Sequence, residues 1–556
     1  MADNAEPAIA HDDRKLKKHI GPIGLLFTAV GSIIGSGWLF GAMYAAEMAG
    51  PAAILSWIIA AVMILLIGLT YAELGTMFPL SGGVIRYPHF AYGSFASYTL
   101  GWITFVSVAA VAPVEVEAAL QYANNYVPWL QRLEDGTAVL TTPGFFVACG
   151  MMFLFCAINM LGIRWFARIN NLLVWWKLGV IVLVIVVLMS AGFKADQLYH
   201  PQHGGFLPLG WHGVFSSIAT AGIVFSYFGF RQGVELAGET DNPQRNVPMA
   251  ILLSIGICAV IYVLLQVAFI GVLPESALAN GWEHIGTTFS AGAGHQLLAF
   301  GPLAALATTL GLTWLAVLLY IDAFISPADT GLIYNTITSR MSYAMARNAN
   351  APRALARVNT NGVPWISVIL SFFVSVVFFL PFPGWQKLIG FVTSSTVLSF
   401  GSGPLVLIAL RRELPDYRRP FRLRAAWLVA FLAFFSSNLI VYWSGWDVNW
   451  KLMLAVALGL VLLAIHEAGW GRHTPRLDMK AGFWVIPWLV GLTLISYLGR
   501  YPEVSAGAGN LGVLGIGSSV VIIALFSAFI MGLAYHFRLS STRVVEHLNE
   551  PWVENE

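Results

Sequence analysis

Apolar stretches long enough to cross a bilayer alternate with short polar connections along almost the whole chain. A transmembrane helix needs about 20 apolar residues, and on that rule the pattern predicts fourteen spans, near 23–44, 51–78, 97–127, 143–162, 169–192, 213–238, 248–273, 301–333, 364–382, 386–410, 425–443, 450–467, 482–498 and 513–537. Two of them break their own pattern. In the first, VGSIIGSGWLFG (30–41) carries glycine at 31, 35, 37 and 41, each weakening a helix by roughly 1 kcal/mol relative to alanine. In the sixth, FSYFGFRQG (225–233) interrupts the run. Unwinding frees backbone N–H and C=O groups that lipid cannot satisfy, so the breaks belong beside a protein-lined cavity. Spans one and six open two sets of five, and because five is odd the second set enters the membrane inverted. Matched interruptions in corresponding helices of such a repeat point to a substrate site at the midplane. The expected organisation is a tail (1–20), a first repeat (21–192), an inverted second repeat (213–411), spans 11 and 12 (424–467), accessory spans 13 and 14 (482–537) and a closing tail (538–556).

Charge orients the array. With both ends placed in the cytoplasm, 23 of the 30 basic residues fall in cytoplasmic segments and five in outer ones, leaving Lys177 and Arg231 within spans. Such an asymmetry is what the positive-inside rule requires. Composition agrees, at 58% hydrophobic and 10% charged against about 25% charged for a soluble chain. The polar start reads as a retained tail and not a signal peptide, and a formal net charge of +2 argues for no nucleic-acid partner. Cys149 and Cys156 stand seven apart on one predicted helix, about 10 Å and too far for a disulfide. With Cys258 they read as buried thiols.

Five stretches lie in order and on the predicted side: GSIIGSG in span 1, YAELGTMFPLSGG (71–83), GFRQGVELAGETDNPQRNVP (229–248), SRMSYAMARNANAP (339–352) and LRRELPDYRRPF (410–421). In these the chain, over about residues 20–430, resembles the amino acid, polyamine and organocation transporter superfamily. That resemblance implies the leucine-transporter fold in the cell membrane, a bacterial inner membrane here, a small-molecule amino acid substrate, contact with membrane lipids, and no cofactor. Arg231 and DAFISPADTG (322–331) look most like the bacterial aspartate-proton symporters. Two positions depart from the superfamily pattern: Ile85 stands where tyrosine is usual, and Arg231 where a carboxylate is usual.

A broken helix can hold both ends of an α-amino acid, because the restarting half exposes N–H groups and a positive dipole end while the stopping half presents carbonyls. The resemblance implies that the substrate carboxylate meets Ser36 and the amides around Gly37, and that the ammonium meets carbonyls near Ile33, Phe225 and Phe228, with Gly35, Ser226 and Gly229 completing the pocket. The same glycines also fit close helix packing of the small-xxx-small kind. Lys177 lies about 10 Å past the polar start of span 5. It either snorkels to the surface or, as in proton-coupled relatives, takes the place of a sodium ion by bridging span 1 near Gly35 to span 8 at Ser326–Thr330, Asp329 included. Burial disfavours the ammonium, so this lysine is a proton-coupling candidate. Glu115 and Glu117 stand two apart and so on nearly opposite helix faces. Glu115 is expected in the pocket, near the substrate's side-chain end, where it either pairs with Arg231 to dock helices or serves in proton coupling. Glu73, Glu235 and Glu239 are expected as gate or loop-anchoring residues.

Other patterns fail. GAGNLG (507–512) fits GxGxxG but follows no strand, HEAGWGRH (466–473) lacks the HExxH spacing, and His200 with His203 has no cysteine or carboxylate partners, so neither a dinucleotide nor a metal site is expected. The expectation is a non-enzymatic proton-coupled symporter of an amino acid, aspartate or glutamate favoured, working by alternating access. An amino acid/amine exchanger of the same fold is the alternative, and a transporter-like nutrient sensor the reading from another class. The sequence leaves the oligomeric state open.

Overall fold

The break in the first span is where the glycines place it. In the computed structural model, which describes residues 20–80, 82–134, 136–160, 163–291, 296–347, 351–359, 362–470, 477–501 and 509–549, a helix over Pro22–Ile33 stops and another restarts at Gly37–Ala49. Pro22 opens the first half, where the missing N–H of proline costs nothing. The second half passes through a short 3-10 turn into Ala53–Met77, the second span.

Each of the other expected spans has its helix. The third is kinked into Gly83–Ala109 and Val111–Ala123. The fourth and fifth are Thr142–Met160 and Ile163–Gly192, and the sixth is broken into Gly210–Thr220, a 3-10 stretch over Phe225–Arg231 and Gln232–Glu235. The seventh is Pro243–Val272. The ninth is Trp365–Phe378, and the tenth divides at Gly401 into Trp385–Phe400 and Ser402–Glu413. Ala426–Trp443, Trp446–Trp470, Val485–Leu498 and Ile516–Phe537 supply the last four.

The eighth span differs from expectation. The apolar run at 301–333 divides at Gly311, whose φ of 74° no helix interior accepts. A short helix, Pro302–Thr309, precedes the membrane helix, which starts at Thr313 and continues to Arg347. By length and composition eleven helices suffice to cross a membrane, or twelve with the bent sixth pair, among the described residues. Two shorter apolar helices, Pro22–Ile33 and Trp365–Phe378, lie where the first half of the expected first span and the expected ninth span fall. The protein is thus a nearly all-helical, multi-pass membrane protein.

Two small antiparallel hairpins decorate one end: Gln131–Glu134 with Thr137–Leu140, in register Gln131 to Leu140, and Ser290–Ala291 with Gln296–Leu297. Exposed Phe146, Phe153, Leu172, Val186 and Leu458 face outward, as lipid-facing side chains do. The carboxylate of Glu73 is fully buried and receives Arg411 at 2.8 and 2.6 Å and the Leu423 amide at 2.8 Å, fastening the second span to the loop after the tenth. Ile20 pairs with the segment after span six, its N–H meeting the Glu239 carbonyl at 3.2 Å. Glu73 and Glu239 are thus loop anchors, Glu239 through its backbone. A further helix, Ser541–Asn549, lies within the expected tail, and the Leu539 amide before it donates to the Ala91 carbonyl. Residues 1–19 and 550–556 of the tails, and Arg472 and Arg476, lie outside the described residues.

Candidate functional site

Unwinding at Ile34–Ser36 leaves Ile33 as the last residue of the first half-helix. Its carbonyl accepts the Tyr262 hydroxyl at 3.2 Å and the Gly35 amide at 3.1 Å. Beyond the break the Ser36 amide donates to Glu115 Oε2 at 2.9 Å, and the Ser36 hydroxyl accepts Trp385 Nε1 at 2.9 Å. The helix terminus expected to hold a carboxylate therefore holds one supplied by the protein itself. Glu115 is fully buried, and its other oxygen has no hydrogen-bond partner. A Cβ on Gly35 would lie 2.6 Å from that oxygen, so glycine here is what lets Glu115 reach the break.

The broken sixth span lies directly on the first. Gly222 takes a φ of 86°, open only to glycine at low cost, at the point where the upper half stops. The chain then runs as a 3-10 helix, a geometry frequent at functional hinges. A Cβ on Gly37 would stand 2.1 Å from Ser226 Oγ, and one on Gly229 would stand 2.2 Å from the Ile33 nitrogen. Ile33, Gly35, Ser36, Gly37, Ser226 and Gly229 are thus brought together at one place. Phe225 and Phe228 meet edge-to-face at 6.0 Å beside it, and Phe228 meets Phe400 at 5.9 Å. The glycines divide by what they face: Gly31 is a packing position, since its Cβ would fall 2.3 Å from Val174, whereas Gly35 and Gly37 face the break.

Lys177 is fully buried, so it does not snorkel. Its Nζ lies 2.7 Å from Asp329 Oδ2, 3.0 Å from Thr330 Oγ1 and 3.3 Å from the Gly31 carbonyl. One ammonium thus ties spans one, five and eight together, meeting span one a turn earlier than the expected Gly35. Coordination of a point charge by a carbonyl, a hydroxyl and a carboxylate is also how a small cation is held.

Of the two readings of Glu115, the pairing with Arg231 is not formed in the structure. Arg231 Nε instead meets Glu235 Oε1 at 3.1 Å. The two stand i,i+4 on one helix and so share a face, whereas Glu115 is committed to the Ser36 amide. Arg231 is buried at 3% exposure, and its Nη2 has no hydrogen-bond partner. Glu117, on the opposite face of its helix from Glu115, is buried with neither oxygen hydrogen-bonded. Sequence reasoning missed Trp385 and Tyr262. A lone tryptophan and a lone tyrosine in apolar runs carry no periodic signal, and only the fold reveals that one meets the serine and the other the carbonyl of the same break.

Comparison with known proteins gives the chain its family. The chain is 35% identical to the glutamate/serine transporter AimA of Bacillus subtilis over 547 residues, covering 96% of each, and 34% identical to the aspartate-proton symporter of the same organism over 519 residues, covering 92% of this chain and 95% of that one. Among solved structures a manganese transporter variant from Eremococcus coleocola superposes with a TM-score of 0.49 at 12% identity, over 85% of this chain and 94% of that one. The family model for amino acid permeases matches residues 20–464, and the chain belongs to that family of transporters.

Proposed function

We propose that the protein imports an acidic amino acid together with a proton by alternating access, with both chain ends in the cytoplasm of a bacterial cell. The two five-span halves, 21–192 and 213–411, form the inverted repeat, and the substrate lies between spans one, three, six and eight. The observation that carries the reading is the Lys177 ammonium, buried among Asp329, Thr330 and the Gly31 carbonyl. It supplies in protein form the positive charge that an external cation would otherwise bring, which fits coupling to protons.

In this reading the substrate's α-carboxylate competes with Glu115 for the Ser36 amide. A displaced Glu115 loses its donor while remaining buried, conditions that favour its protonated form, so substrate and proton arrive together. The substrate ammonium takes the Ile33 carbonyl with those of Phe225 and Phe228. The side-chain carboxylate takes the unpartnered Nη2 of Arg231, already held in place by Glu235. Two relatives named for glutamate/serine and aspartate transport support the acidic substrate.

Charge-assisted hydrogen bonds contribute about 1.5–3 kcal/mol each. Arg231→Lys, which loses the guanidinium fork, is therefore expected to weaken aspartate or glutamate binding by roughly ten- to a hundred-fold, and Arg231→Glu to abolish it. Calorimetric titration of the purified variants checks this. A wild-type protein that binds neutral amino acids and ignores acidic ones would leave Arg231 a structural residue.

A further inference from the structure

Asp322 is a buried carboxylate that none of this chemistry uses. It lies on the eighth span nine residues after Thr313 and seven before Asp329, about 10 Å along the helix from the latter. It is fully buried; Oδ1 accepts Trp176 Nε1 and Ser326 Oγ, both at 2.8 Å, while Oδ2 has no hydrogen-bond partner. Carboxylates at membrane depth are costly and mark ion pathways, and one placed only to dock helices would have donors on both oxygens. Asp322, Ser326, Asp329 and Thr330 follow the i, i+4, i+7, i+8 spacing of a single helix face, while Ile321 and Phe324 are exposed on the other side. The polar face begins beside Tyr320, whose hydroxyl accepts Asn125 Nδ2 at 2.9 Å and whose ring meets exposed Tyr126 at 4.8 Å. It ends at Lys177.

We propose that Asp322 is the outer station of a proton relay that recharges Lys177. The proposal rests on the proton-symport reading and on its orientation, in which span eight enters from the outside. After Lys177 has released its proton inward it is a neutral amine. A proton from outer water adds to Asp322, converting carboxylate to acid. Asp322 passes it to the Ser326 hydroxyl, with which it already shares a hydrogen bond; Ser326, which makes no hydrogen bond to Asp329 here, then turns about its Cβ–Oγ bond and releases its own hydrogen to Asp329 three residues on, and Asp329 delivers it to Nζ, 2.7 Å away. Asp322 is again a carboxylate, Ser326 and Asp329 are unchanged, and Lys177 is an ammonium.

The test uses full-length protein in proteoliposomes and compares aspartate uptake driven by a pH gradient with aspartate counterflow at equal pH, which needs no net proton transfer. Asp322→Asn and Ser326→Ala are each expected to slow proton-driven uptake at least ten-fold while counterflow stays within two-fold of wild type, and Asp322→Glu to recover part of the loss. Proton-driven uptake at the wild-type rate in either Asp322→Asn or Ser326→Ala overturns the relay, as does equal loss of both activities in Ser326→Ala, which would make this face structural. Wild-type counterflow without any proton-driven uptake overturns the symport reading, and the relay with it.

Discussion

Lys177→Ala is expected to abolish accumulation of substrate against a pH gradient in sodium-free proteoliposomes. The variant removes the charge that faces Asp329 and, with it, the donor to Thr330 Oγ1 and the Gly31 carbonyl, so spans one and eight lose the charge that joins them. Removing one member of a buried ion pair costs about 3–5 kcal/mol, because the other charge is left unpaired in a medium that cannot solvate it. Stability should therefore separate two variants. Lys177→Met alone is expected to unfold at a lower temperature than Lys177→Met combined with Asp329→Asn, where no charge remains to be compensated. Thermal unfolding in detergent measures the difference. Unchanged proton-driven accumulation in Lys177→Ala would move the coupling to another group.

The second large effect is expected at Gly229. An alanine there would press its methyl to 2.2 Å from the Ile33 nitrogen and 2.4 Å from the Ser32 carbonyl carbon, and backbone cannot step aside as a rotamer does. Gly229→Ala should thus eliminate both uptake and substrate-induced thermal stabilisation in a protein that still inserts, with no single compensating substitution nearby. Gly37→Ala is a graded case, since its closest contact is the Ser226 hydroxyl at 2.1 Å, with Ser226 Cβ at 3.1 Å. Combining it with Ser226→Gly removes both contacts and should restore much of the activity. Gly37→Val, with two further methyl groups, should bind nothing in either background. Normal uptake by Gly229→Ala would separate the two broken helices from the transport cycle.

Much of this arrangement was legible in the chain. Glycines at 35 and 37 announce a break because each weakens a helix by roughly 1 kcal/mol relative to alanine and two stand within one turn, and Lys177 announces itself because a charge at that depth must be answered. What answers it was partly legible: Asp329 and Thr330 lie in the expected facing segment, while the Gly31 contact depends on how deeply two helices interlock. Arg231 was misassigned although its partner stood four residues away at Glu235, a spacing that helix geometry favours over any distant carboxylate. The hold of Glu115 on the Ser36 amide lies beyond periodicity, since 79 residues separate them. The start of span eight was misplaced because hydropathy does not register a conformation such as that of Gly311.

Glu47 stands near the end of the helix that restarts at Gly37, and its Oε1 accepts the amide of Gly286 at 2.9 Å in the connection between spans seven and eight. The helix Gly37–Ala49 is thus a rod of 13 residues, about 20 Å long, gripped at one end by the site and at the other by that connection. A pivot of about 10° at the Ser36 end would carry the far end through roughly 3.5 Å, beyond the length of a hydrogen bond. A tilt of that size at the break would thus reach the connection between spans seven and eight as a displacement large enough to part Glu47 from the Gly286 amide.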